Sequence, residues 1–272
     1  MSRPLRIEAP NTLYHLTSRG NHRQPIFLTD DDRHHFLRIL ATTIERFACA
    51  CYSYCLMDNH FHLLIETAIA NLSRCMHYLK GTYAISFNRV HRVAGHLFQG
   101  RYDAVIVEKE SHLLEVSRYI PLNPVRAGMC ADPADYKWSS YRATIGLEPA
   151  LSFLKVGPVL DQFSTSTAHA QKLFQAFSNE ENMRCPWDQI KNRLYLGSDE
   201  FVERMHKKIG DEEIPVMQRL ATRPKLKELL KNDLGIQQAY REYGYTMKQI
   251  GSELGVHYKT VSRRIGAIEK LA

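Results

Sequence analysis

The first half of the chain switches repeatedly between two hydrophobic periods. From Thr12 to Ser18 the residues alternate, with Leu13, His15 and Thr17 on one side and Tyr14, Leu16 and Ser18 on the other, which predicts a strand. Thr29-Asp30-Asp31-Asp32 then places a capping residue and acidic groups ahead of Phe36, Leu37, Leu40, Ile44 and Phe47 at helical spacing. Cys51 to Leu56 and His60 to Glu66 predict a hairpin across Met57-Asp58-Asn59. Asn71 to Val90 carries Leu72, Met76, Leu79, Tyr83 and Phe87 on one helical face, Tyr102 to Val107 reads as a further strand, and Leu113, Leu114 and Val116 mark a short helix. The order βαββαβα predicts an α+β domain, a ferredoxin-like antiparallel sheet with helices on one face.

Beyond it the pattern becomes helical throughout. Val156 to Phe163, Ala168 to Phe177 and Ser198 to Lys208 read as helices, with polar breaks at 164–167, 178–182 and 210–213 between them. Nothing in this stretch points to chemistry, and a helical connector is the expectation. At the end of the chain, Thr246-Met247-Lys248-Gln249 has capping-box spacing, Ile250 and Leu254 form an apolar stripe, Gly255 suits a tight turn, and Val261 and Ile265 stripe the next helix. This patterning predicts a helix-turn-helix. The expected organisation is therefore an α+β domain over 1–146, a helical connector over 147–224 and a helix-turn-helix domain over 225–272.

Candidate chemistry concentrates at two places in the first domain. In His60-Phe61-His62 a strand aims two imidazoles at one face, where they could share a divalent cation. The chain has 13 histidines, so such a triplet also arises by accident. Tyr119 and Asn123 are four apart and share a face wherever a helical turn persists, with Pro121 early in the final turn and Pro124 where the helix should stop. Asn123 is then readable as an oxygen ligand or as a helix C-cap. In the tail, His257, Lys259, Thr260, Ser262, Arg263 and Arg264 fall at or near the start of the second helix, where phosphate and base-edge contacts are made.

Composition adds little that is specific. A formal net charge of +7 over 272 residues favours a polyanionic partner. The six cysteines lack paired C-x-x-C spacing and no secretory leader precedes the polar N-terminus, so reduced thiols in a cytoplasmic protein are expected. No apolar run is long enough for a membrane span.

Residues 5–145 resemble the single-tyrosine HUH endonucleases, and more closely the REP-associated tyrosine transposases. The resemblance is carried by Met57-Asp58-Asn59-His60-Phe61-His62-Leu63-Leu64, by Arg118-Tyr119-Ile120-Pro121-Leu122-Asn123-Pro124-Val125-Arg126-Ala127-Gly128, by Ser18-Arg19-Gly20-Asn21 and by Tyr136-Lys137-Trp138-Ser139-Ser140-Tyr141. It implies that His60, His62 and Asn123 bind Mg²⁺ or Mn²⁺ and that Tyr119 attacks a phosphodiester of single-stranded or hairpin DNA, leaving a 5′-phosphotyrosine. Pro121, between tyrosine and ligand, departs from the commoner form. Gly255 to Arg263 also resembles the helix-turn-helix tail of a subset of these transposases. Arg19, Asn21 and Arg23 are candidates for holding the strand, although loop polarity explains them as well. The enzyme is expected to act on DNA with flanking duplex as a monomer or homodimer. The alternatives are a DNA-binding regulator on a degenerate HUH fold, a relaxase or replication-initiator nuclease, and a metal hydrolase using water as nucleophile.

Overall fold

A computed structural model describes residues 7–180, 185–191, 194–209, 224–231, 233–241, 243 and 245–268; the expected polar break at 210–213 and part of that at 178–182 lie outside them. Five strands, β1 (Thr12–Arg19), β2 (Cys49–Met57), β3 (His60–Thr67), β4 (Asp103–Val107) and β5 (Tyr195–Leu196), form one sheet in the order β2-β3-β1-β4-β5. The first four pair antiparallel, as the alternation predicts, whereas the two-residue β5 joins β4 in parallel.

Register decides which side chains share a face. Tyr14, Leu16 and Ser18 of β1 stand opposite Ile65, Leu63 and Phe61 of β3. Here the sheet meets α1 (Asp30–Arg46) and α2 (Leu72–His91): the Phe36 ring lies 4.9 Å from Phe61 and 5.1 Å from Tyr83. The opposite face carries Leu13, Leu64 and Val107, which cluster with Leu113, Val116, Tyr119 and Ile120 of α3 (Lys109–Tyr119) and the residue after it. The α+β class therefore stands with one refinement, since α1 and α2 cover one face and α3 the other. Strands β1 and β3 are buried almost end to end for that reason, and each large apolar side chain they bury contributes roughly 1.5–3 kcal/mol.

Local signals account for the helix starts. Thr29 Oγ1 accepts from the Asp32 amide at 3.2 Å and Asp32 Oδ2 accepts from the Thr29 amide at 2.9 Å, closing the capping box of α1. Asp32 also meets His91 Nε2 at 2.8 Å, tying the start of α1 to the end of α2. The expected stop at Pro124 is corrected. The long helix ends at Tyr119, before Pro121, and Pro124 stands in the first turn of a separate short helix, Asn123–Arg126, where a missing N–H costs nothing.

The exposed edge of β2 is covered by the Tyr136-to-Tyr141 motif. The Leu56 amide donates to the Trp138 carbonyl at 2.9 Å, the Ser140 amide to the Tyr54 carbonyl at 3.0 Å, and the Tyr136 hydroxyl to the Leu56 carbonyl at 2.6 Å. Strand-edge donors and acceptors that would otherwise invite foreign pairing are thereby used.

Glu8–Ile190 with Tyr195–Gly197 forms one compact unit, and Ser198–Ala272 makes up most of a second. In the second, helices Asp233–Arg241, Met247–Glu253 and Tyr258–Ile268 bury Ile236, Ala239, Ile250, Val261 and Ile265 against one another. Thr246 and Gln249 close a reciprocal cap, and Gly255, at φ +66°, makes the turn that a side chain would strain. Of the connector helices, the first shrinks to Gly157–Leu160, while Thr167–Ser178 and Asp199–Ile209 are close to expectation. No helix among the described residues is long and apolar enough to cross a membrane.

Candidate active site

Three adjacent strand ends build the site. His60 stands opposite Arg19 and His62 opposite Thr17 across the β1–β3 ladder, and Thr17 in turn stands opposite Asp103 of β4. These five residues share one face, and with Gln99 and Arg101 they line a cleft of about 450 Å³. Arg19 is brought there by the turn that follows it. The Gly20 amide donates to the Asn59 carbonyl at 2.8 Å, and a Cβ at Gly20 would fall 2.0 Å from the Gln24 carbonyl oxygen, so only glycine closes this loop against the hairpin.

The imidazoles are held in neutral form and by their Nδ1 atoms. Burial pushes His60 down to about 4, helped by the Arg19 charge, and pushes His62 well below the ordinary histidine value, with His15 and His60 adding to the effect. His60 Nδ1 lies 2.7 Å from Asn59 Oδ1, and Asn59 Nδ2 donates to the Arg23 carbonyl at 3.0 Å, which fixes the amide's orientation. His62 Nδ1 lies 3.0 Å from Nε2 of His15, a third histidine, which burial lowers to about 3. The Nε2 atom of His62 is buried and has no hydrogen-bond partner. An orphaned imidazole nitrogen beside a polar cleft fits a metal ligand. Among the described residues no group of three or more His, Cys, Asp or Glu side chains gathers to hold a metal ion.

The tyrosine belongs to the same neighbourhood. Trp187 stacks on His15 with ring centroids 4.3 Å apart and meets the Tyr119 ring edge-on at 5.1 Å, linking the histidine face to the end of α3. Tyr119 is only 8% exposed, and its phenol is pushed up chiefly by burial, while the Arg126 guanidinium, 4.7 Å from the ring centre, acts in the other direction. Asn123 Nδ2 donates to the Tyr119 and Ile120 carbonyls, each at 3.0 Å. The Asn123 side chain thus serves two carbonyls at the end of α3, and its Oδ1 is the atom left for a ligand role.

The other expected residues divide by location. Asn21 fixes its loop through its backbone amide, 2.8 Å from the Leu97 carbonyl, and Arg23 acts through the carbonyl that receives Asn59. In the second unit, His257, Lys259, Ser262, Arg263 and Arg264 are exposed and Thr260 is half-buried, along the start and outer side of the last helix. Sequence reasoning missed His15, Asn59, Asp103, Arg126 and Trp187. A histidine inside an otherwise apolar central strand was the available signal for the first.

The site thus combines a strand-borne histidine pair with a tyrosine at the end of a facing helix, on an α+β sheet. Residues 8–123 match the family model of IS200-like transposases. Among solved structures the chain is similar to a REP-associated tyrosine transposase bound to a REP hairpin, at 15% identity and TM-score 0.47, over 57% of this chain and 98% of that one. It is also similar to a candidate transposase from Deinococcus radiodurans R1, at 19% identity and TM-score 0.32, over 44% of this chain and 94% of that one. Among curated proteins there is no match.

Proposed function

We propose that the chain is a divalent-metal-dependent, single-strand DNA endonuclease and strand transferase that nicks through Tyr119 at hairpin-forming repeat elements. The observation that carries this reading is the pair His60 and His62, neutral and engaged at Nδ1, with the His62 Nε2 orphaned beside a cleft that also holds Arg19 and Arg101. His60, His62 and Asn123 would hold Mg²⁺ or Mn²⁺, which when bound would polarise the scissile phosphate as a Lewis acid. Arg19, with Arg101, offers positive charge to the DNA backbone. Tyr119 Oη would form the bond to phosphorus as the bond to the 3′ oxygen breaks, the phenolic proton leaving and the 3′ oxygen ending as a hydroxyl. The product is a 5′-phosphotyrosine and a free 3′-OH able to reverse the reaction on another strand.

Two features of this chain shape that step. Arg126 favours the phenolate, offsetting part of the penalty that burial imposes on it. Trp187 and Cys185 lie against the phenol, so a phosphodiester reaches Oη only when that segment yields. The exposed basic face of the Tyr258–Ile268 helix would grip flanking duplex as the recognition helix of a helix-turn-helix.

The test is incubation with labelled single-stranded hairpin DNA and Mn²⁺, followed by denaturing electrophoresis for a protein-linked strand. An adduct that Tyr119→Phe removes supports the reading. Cleavage without any adduct would favour the water-dependent hydrolase, and tight binding without cleavage the DNA-binding regulator.

A further inference from the structure

The two imidazoles read as metal ligands have the same internal arrangement, although their partners come from different parts of the fold. Each is engaged at Nδ1: His60 by Asn59 Oδ1 at 2.7 Å, and His62 by His15 Nε2 at 3.0 Å. Asn59 is turned by its second bond, in which Nδ2 donates to the Arg23 carbonyl at 3.0 Å. Its Oδ1 must therefore accept, and His60 must carry its proton on Nδ1. That leaves the His60 Nε2 lone pair for a ligand.

For His62 two tautomers satisfy the contact with His15. If His15 Nε2–H donated, His62 would carry its own proton on Nε2, which is buried and has no acceptor. Leaving a buried donor unpaired costs roughly 1–3 kcal/mol. If His62 Nδ1–H donates instead, the orphan is a lone pair, which is less costly to leave unmatched. The second arrangement also makes the two histidines equivalent.

We infer that His15 and Asn59 are positioning residues which hold His62 and His60 as Nδ1–H tautomers, so that both Nε2 atoms are presented to a divalent cation. His15 is itself fixed. It is 5% exposed, its ring lies 11° from the plane of His62, and Trp187 stacks on it at 4.3 Å. A ligand whose other ring nitrogen is hydrogen-bonded loses roughly 10–100-fold in metal affinity when that partner is removed. The inference rests on the metal reading given above, and the experiment separates the two.

Mn²⁺ affinity of the full-length protein without DNA is measured by electron paramagnetic resonance for wild type, His62→Ala, His15→Phe and His15→Gln. His15→Phe keeps a ring against Trp187 and removes the acceptor, and His15→Gln restores an acceptor near the Nε2 position. The expectation is a loss of at least tenfold in His15→Phe, recovery to within about threefold in His15→Gln, and comparable melting temperatures for both. Imidazole ¹⁵N shifts of the metal-free protein provide an independent readout, with His62 protonated on Nδ1. Unchanged affinity in His15→Phe, or a proton on His62 Nε2, overturns the inference while His62→Ala still loses metal. Unchanged affinity in His62→Ala overturns the metal reading itself.

Discussion

Arg126 provides a quantitative test of Tyr119 as the proposed nucleophile. Its guanidinium carbon lies 4.7 Å from the centre of the Tyr119 ring and stabilises a phenolate that burial opposes. Two unit charges at that distance interact by about 0.9 kcal/mol at the dielectric constant of water and about 3.5 kcal/mol at an effective value of ~20. Arg126 is exposed, so the low end applies. Arg126→Gln should therefore raise the barrier for attack by about 1 kcal/mol, a rate about fivefold lower. The assay is single-turnover adduct formation on a hairpin substrate with saturating Mn²⁺ across pH 6 to 10. Because burial holds the phenol above its ordinary value, the tyrosine stays un-ionised across this range, and if the guanidinium acts on it the deficit lies in the rate, at every pH, with hairpin affinity unchanged. A deficit that lies in hairpin affinity would place Arg126 on the DNA rather than on the phenol, and an unchanged rate would refute the electrostatic argument.

Four further outcomes are expected. Tyr119→Phe should abolish the covalent adduct while leaving DNA affinity within about twofold, as judged by gel shift, because the ring and its contact with Trp187 remain. His60→Ala and His62→Ala should each lose metal-dependent cleavage, with Asn123→Ala milder because water can replace a neutral amide; full activity in a chelator would refute the metal dependence. His15 is held at about 3 in the fold against about 6.5 in the unfolded chain, so the unfolded state binds more protons between these values; stability should fall as pH drops through that window, by up to on the order of 4 kcal/mol. Urea midpoints at pH 7.5, 6, 5 and 4 check this, and the slope should flatten in His15→Phe. Removing residues 225–272 should weaken binding to duplex-flanked substrates and reduce its salt dependence while sparing cleavage of a short single strand; an unchanged salt slope would assign Lys259, Arg263 and Arg264 to packing or another partner.

What could be read from the sequence follows from how local each determinant is. Strands β1 to β4, helices α1 to α3 and both capping boxes are written in short-range periodicity and spacing, and they appear close to where those patterns place them. The two-residue β5 has no periodicity to detect, and it pairs with β4 only because the chain returns from far along the sequence. The cover on β2 is similar: Tyr136 to Tyr141 contributes backbone atoms to an edge, and backbone pairing leaves no signature in side-chain pattern. Pro124 is ambiguous in sequence because proline marks both the residue after a helix and the first turn of the next one; Pro121 lies only a short step after Tyr119, and between them the two prolines allow either boundary.

The site divides along the same line, and the division has a physical cause. His60, His62, Tyr119 and Asn123 lie in two short segments whose spacing can be recognised, whereas His15 enters only through register. It stands opposite Leu64, two pairs along from the Thr17–His62 pair, and so reaches His62 on a diagonal that a shift of one residue would turn to the other face. Trp187 is more remote still, since it touches His15 and Tyr119 from a segment of 3₁₀ helix with no sheet or heptad pattern to announce it. The groups that would perform the chemistry are thus locally encoded, and those that fix their tautomers and control access to the nucleophile are supplied by tertiary packing. The motif residues can therefore be read from the sequence, while the state of the site depends on residues that the motifs do not contain.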